Sequence, residues 1–183
     1  MLSREPDRCG NLVYPLRANR PLVREPEARQ VLSSILERAN INFCIEAPTR
    51  GKYAISGTIP DRANVDLVIE PGATQVNVEF KEGQPAEHSI QKDFMKLRCE
   101  PCAGTAFFHV LQRSNKNTMP SLLRKYASAY NHSIRDDQIS KWFTLFICIR
   151  ESRKCYWRTF GDVTRIPIEE FDPSSLRPGA KDL

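Results

Sequence analysis

Two alternating runs face one another across a short turn: Val65-Asp66-Leu67-Val68-Ile69-Glu70, then Pro71-Gly72-Ala73-Thr74, then Gln75-Val76-Asn77-Val78-Glu79-Phe80-Lys81. Alternation on both sides of a Gly-containing turn is the pattern of a β-hairpin. With Gly72 and Ala73 as the central turn residues, the register is fixed, because a type II′ turn takes Gly at its first central place. Ile69 then pairs with Val76, Leu67 with Val78 and Val65 with Phe80, and these six apolar residues share one face. The other face carries Asp66 opposite Glu79, with Lys81 two residues further on. Directly opposed residues have Cβ atoms roughly 4.5–5.5 Å apart. Two carboxylates at that spacing repel unless a cation sits between them, and hard divalent cations take such oxygen ligands.

The rest of the chain supplies helices and further strands. A helix is predicted from Pro26 to Ala39, because Pro suits a first helical turn and Val31, Leu32, Ile35, Leu36 and Ala39 recur at helical spacing. Ile41–Ala47 reads as a strand, 48–52 as a loop and 53–59 as a second extended segment. Gly83 and Pro85 break the hairpin's second strand and start a helix over 85–98, with Ile90, Phe94 and Leu97 on its apolar side. Residues 105–111 and 142–149 are near-continuous apolar strands, as buried strands are. Between them a helix over 119–130 buries Leu122, Leu123, Tyr126, Ala127 and Tyr130. A last strand covers 155–160, and the tail from Asp172 is expected to be loosely held.

The hairpin's polar face resembles the PD-(D/E)XK nuclease superfamily, the restriction-endonuclease-like fold. That family's signature is an acid early in one strand and Glu-x-Lys at the end of the next. Asp66 and Glu79-Phe80-Lys81 carry the likeness. The literal Pro-Asp dipeptide, Pro60-Asp61, lies five residues upstream. Asp66 is preferred because it begins an apolar strand, and Asp61 is the reserve. The resemblance implies an α/β fold with a mixed central sheet flanked by helices, in the order α-β-β-β-α-β. It covers residues 25–112 of one domain, with an N-terminal arm over 1–24, a variable helix and strands over 113–171 and a tail over 172–183.

The resemblance also implies a chemistry. Asp66, Glu79 and the backbone carbonyl of Phe80 would hold Mg²⁺ or Mn²⁺, and Lys81 would orient the attacking water or offset transition-state charge. The family adds a further acid from its first helix, for which Glu27 is chosen over Glu25, while Glu37 lies too near the far end. In the helix after Glu-x-Lys, Gln91 and Lys92 would reach the site or the phosphates. Lys92 and Lys96, with Arg113, Lys116 and Arg124, would contact a nucleic-acid backbone. The expected activity is therefore metal-dependent hydrolysis of phosphodiester bonds, with DNA named before RNA, and a homodimer is left open. The alternatives are a catalytically silent nuclease fold that binds nucleic acid or protein, and a small α/β interaction protein of unrelated kind.

Composition adds limits. A net charge of +5 favours polyanionic partners. No apolar run reaches the ~18 residues of a membrane span, and the polar first ten residues do not form a signal peptide, so a cytoplasmic protein with reduced thiols is expected. Cys99-Glu100-Pro101-Cys102 has the spacing of half a zinc site without a second pair, and Cys148 and Cys155 are the other two thiols that a four-cysteine site would need. Buried single cysteines are the preferred reading. His109, inside an apolar strand, is expected to be a satisfied core residue.

Overall fold

A computed structural model describes residues 24–53, 61–70, 73–133, 141–161, 174 and 176–178. Within these residues lie helices α1 (Glu25–Arg38), α2 (Glu87–Cys99) and α3 (Thr118–His132). The strands are β1 (Phe43–Tyr53), β2 (Asp61–Ile69), β3 (Val76–Glu82), β4 (Gly104–Leu111), β5 (Trp142–Ile149), β6 (Lys154–Phe160) and the two-residue β7 (Arg177–Pro178). The strands form one mixed sheet whose spatial order follows the chain. The β3–β4 and β4–β5 pairs are parallel and the others antiparallel. The protein is thus α/β with a mixed sheet, as expected.

Side-chain parity sorts the core into two layers. Leu67, Val78, Phe80, Ala106 and Val110 point to the α1 side, where they meet Ala28 and Leu36. Phe107, Leu111, Phe143, Leu145, Ile147 and Ile149 point to the other side and pack under α2 and α3. Two right-handed crossovers that step the same way along a sheet leave their helices on the same face, which is why α2 and α3 are neighbours. Ile90, Phe94 and Leu97 of α2, and Leu122, Leu123, Tyr126, Ala127 and Tyr130 of α3, are all buried as the spacing required.

Near the turn the hairpin has the predicted register: Ile69 pairs with Val76, Val68 with Asn77 and Leu67 with Val78, where the ladder ends, short of the expected pairs Asp66 with Glu79 and Val65 with Phe80. Other expectations shift. In α1 the most buried positions are Ala28, Ser33 and Leu36, while Ala39 is the exposed C-cap. The contact line is therefore Ala28–Leu32–Leu36, turned from the stripe expected.

The predicted loop 48–52 belongs to strand β1, with a register shift between Pro48 and Lys52. Its spare backbone donors are taken up from a distance. The Arg50 and Gly51 N–H groups donate to the Glu100 carboxylate at 2.9 and 2.8 Å, and the Tyr53 hydroxyl donates to it at 2.6 Å. Ile45, in the strand expected over 41–47, is 46% exposed, on β1 at one edge of the described sheet. Residues 54–60, the tail from Asp172 apart from 174 and 176–178, and the side chain of Asp61 lie outside the described part.

His109 is buried as expected. Its Nε2–H donates to the Gly83 carbonyl at 2.8 Å, so its Nδ1 is left to accept from the Tyr126 hydroxyl. Gly83 turns the chain after β3 with φ +67°, a left-handed conformation that suits glycine. Burial lowers the His109 pKa from 6.5 to about 4, with the Lys81 ammonium acting in the same sense and the Gly83 carbonyl opposing. A lowered histidine pKa means that the unfolded chain takes up the proton first. Stability contributed here is complete above pH 6.5 and is lost as pH falls towards 4. Melts across that window should fall more steeply for wild type than for His109→Asn, by up to roughly 1.4 kcal/mol per pH unit. Parallel curves would contradict this.

Candidate active site

The β2 and β3 strands are paired at Leu67 and Val78, and just beyond them a side chain replaces the ladder: the Phe80 N–H donates to Asp66 Oδ2 at 2.8 Å. The site lies here, at the C-terminal end of β3, which in α/β sheets is where crevices open. A strand residue's N–H and C=O point to the same side, so the Phe80 carbonyl is also directed towards β2. Asp66 acts electrostatically on this end of the strand, where it raises the proton affinity of both Glu79 and Glu25.

Helix α2 covers the polar face and completes the cluster. Lys96 Nζ lies 2.6 Å from Glu79 Oε2 and 3.3 Å from Asp93 Oδ1, and it donates to the Asn64 carbonyl at 3.1 Å. Lys81 Nζ lies 2.6 Å from Asp93 Oδ2. On the outer side Arg29 reaches Asp66 at 3.8 Å and Glu46 at 2.9 Å. Glu79 is 1% exposed, and its second oxygen, Oε1, has no hydrogen-bond partner among the described residues. A buried carboxylate oxygen without a donor is expensive.

Proton affinities follow from that burial. Burial holds the Glu79 pKa well above the carboxylate range; Lys96 opposes the shift, and Asp93 and Asp66 add to it. Burial alone would lower Lys96 and Lys81, but the carboxylates of Glu79 and Asp93 outweigh it for Lys96, and Asp93 chiefly does so for Lys81, leaving both raised. The two lysines therefore stay charged inside the cluster.

The predicted site residues fare unequally. Asp66, Glu79 and Lys81 converge at one end of the hairpin. Glu27 instead accepts the Arg24 N–H at 3.4 Å, as a residue in the first turn of a helix does. The first-helix acid on the site side is Glu25, whose backbone N–H donates to Glu82 Oε2 at 2.7 Å. Burial and the charge of Asp66 raise its pKa, and Lys81 opposes. Gln91 and Lys92 lie half-buried on α2. Lys96 is only 6% exposed and is spent on ion pairs, so it is not presented to a phosphate backbone. Asp93 was not singled out. Its signal was the i, i+3 pairing with Lys96 beside the Ile90–Phe94–Leu97 stripe, which puts both on the helix flank next to the sheet.

Hard oxygen donors such as these suit Mg²⁺ or Mn²⁺, which use one or two carboxylates and complete their shell with water. The unpartnered Glu79 Oε1, with Asp66 and the Phe80 carbonyl, fits that need. Among the described residues no three carboxylate, imidazole or thiolate groups converge as a ready-made ligand set. The four cysteines do not assemble. Cys102 precedes Gly104 at one end of β4, while Cys148 pairs with Val110 near the other, about 20 Å away at the rise of a strand. No described helix is long and apolar enough to cross a membrane. Neither the models of known protein families, nor the curated proteins, nor the solved structures contain a match to this chain.

Proposed function

We propose that the protein is a metal-dependent nuclease with a restriction-endonuclease-like core, hydrolysing phosphodiester bonds of nucleic acid, DNA before RNA. The observation that carries this reading is the buried Glu79, with an oxygen left unpartnered, beside Asp66 and Lys81 at the fork of β2 and β3. The succession α1-β1-β2-β3-α2-β4 is consistent with that core. Asp66, Glu79 and the Phe80 carbonyl would hold the cation. When bound, such an ion supplies Lewis-acid polarisation of a phosphate and an activated water.

The chain's own groups do the rest. Asp93, 2.6 Å from its Nζ, holds the Lys81 ammonium charged. From there Lys81 can donate to an attacking water or to a developing oxyanion, since an ammonium donates and does not accept. The apolar layers beneath, Phe80 on one side and Phe94 on the other, fix the hairpin and α2 so that these groups do not drift.

A second reading has its own support. Glu79 and Asp93 are already neutralised by internal lysines, and Asp66 lies near Arg29, as in a nuclease fold that binds without cutting. Incubation of the protein with single-stranded, duplex and branched DNA and with RNA separates the two. Cleavage with Mg²⁺ or Mn²⁺, none in EDTA, and binding without efficient cleavage in Ca²⁺ are expected of the nuclease. Nucleic-acid binding with no metal-dependent product from any substrate would favour the silent fold.

A further inference from the structure

Lys96 sits in an unusual place for a lysine, buried on the flank of α2 next to the sheet. Three oxygens of different origin surround its ammonium: Glu79 Oε2 at 2.6 Å, the Asn64 carbonyl at 3.1 Å and Asp93 Oδ1 at 3.3 Å. Two carboxylates and a backbone carbonyl are the donor types that a hard divalent cation selects. The cage is buried, with Lys96, Glu79 and Asp93 all below one-tenth exposure. The other Glu79 oxygen, Oε1, has no partner among the described residues. The ammonium thus occupies an oxygen cage and leaves part of it unsatisfied.

We propose that Lys96 is a built-in stand-in cation. In the metal-free protein it holds Glu79, Asp93 and the Asn64 carbonyl together, and a divalent metal competes with it for those oxygens. This rests on the metal site proposed above. It adds Asp93 and the Asn64 carbonyl, from α2 and β2, to the donors available on the hairpin. It also accounts for the absence of a converged ligand set among the described residues, because two lysines are interleaved between the acids. Lys96 and Asp93 are then positioning residues that set how tightly the site takes its metal. A wholly structural ion pair would behave differently, since removing one partner of it could only loosen the site.

The two readings differ in sign. Replacing Lys96 by Met removes one positive charge from a cluster that must admit two more, and Coulomb repulsion at a few ångströms is large even at an effective dielectric constant near 20. Titration of the full chain with Mn²⁺ alone, at about pH 8 so that protons compete little with the metal, should give Lys96→Met an affinity at least about tenfold above wild type. Lys96→Arg, which keeps the charge, should stay within a few fold of wild type. Asp93→Asn should bind about tenfold more weakly. Circular dichroism establishes that each variant is folded, and Lys96→Gln serves if Lys96→Met is not. If wild type binds Mn²⁺ and the folded neutral variant, Lys96→Met or Lys96→Gln, binds it equally or more weakly, the stand-in role is overturned while the metal site survives. If neither wild type nor the neutral Lys96 variant takes Mn²⁺ up to about 10 mM, the metal site itself is lost, and the inference with it.

Discussion

Lys81→Ala is expected to lose metal-dependent cleavage by roughly 10²–10⁴-fold, the range of a positioned proton donor or transition-state charge, while binding Mn²⁺ no more weakly than wild type within a few fold. The two halves have separate causes. Lys81 carries only donors, so it cannot be a ligand, and its loss cannot remove a bond to the metal. Its removal leaves Asp93, 2.6 Å from Lys81 Nζ in wild type, with Lys96 as its remaining cation, which makes the cluster more negative and favours metal. Glu79→Gln should lose both properties, because it deletes the buried carboxylate whose free oxygen marks the site. Single-turnover cleavage and Mn²⁺ titration on the same preparations read out the two quantities. A Lys81→Ala protein that cleaves at the wild-type rate would remove Lys81 from the reaction.

The largest effect on stability is expected at Phe94. This side chain has no exposure and meets four aromatic rings edge to face: Phe107 at 4.8 Å between centroids, Phe143 at 5.5 Å, Tyr130 at 5.8 Å and Tyr126 at 6.0 Å. It ties α2 to α3 and to the sheet at once, so truncation opens a cavity that no single element can move to fill. Phe94→Ala should cost about 3–5 kcal/mol, a large part of the roughly 5–15 kcal/mol that holds a domain together. At about 2–4 °C per kcal/mol for a chain of this size, the melting temperature should fall by roughly 6–20 °C. Ile45→Ser, at the exposed edge of the sheet, should shift stability by no more than about 0.5 kcal/mol. Urea and thermal unfolding of both variants test the contrast. A loss below about 1 kcal/mol for Phe94→Ala would mean that α2 is not seated in this core.

What the sequence made legible were patterns that one element carries alone. The hairpin register was readable because Val76 and Val78 must share a face with Ile69 and Leu67, and a slip of one residue would expose all of them. The α2 stripe was readable because Ile90, Phe94 and Leu97 are apolar at helical spacing. What stayed hidden depends on partners far along the chain. Residues 48–52 looked like a loop, since Pro48 and Gly51 disfavour a strand. They hold their place because Glu100, about fifty residues away, accepts their N–H groups. The sequence offers Lys96 as a contact for a nucleic-acid backbone and does not single out Asp93, because charged residues usually face solvent. Only the position of α2 over Glu79 makes them an internal ion cluster. Deciding between Glu27 and Glu25 requires the helix phase, since two residues amount to more than half a turn. Sequence alone does not say which side of α1 the fork of β2 and β3 will meet.

The central claim is that Asp66 and Glu79 form a cation site at that fork. Its most direct measurement is the anomalous scattering of Mn²⁺ in crystals of the protein grown with the metal. The account predicts a peak within about 2.5 Å of carboxylate oxygens of both Asp66 and Glu79, with the Lys96 ammonium withdrawn from Glu79. A Mn²⁺ peak elsewhere, or none at saturating metal with Lys96 still on Glu79 Oε2, would contradict it.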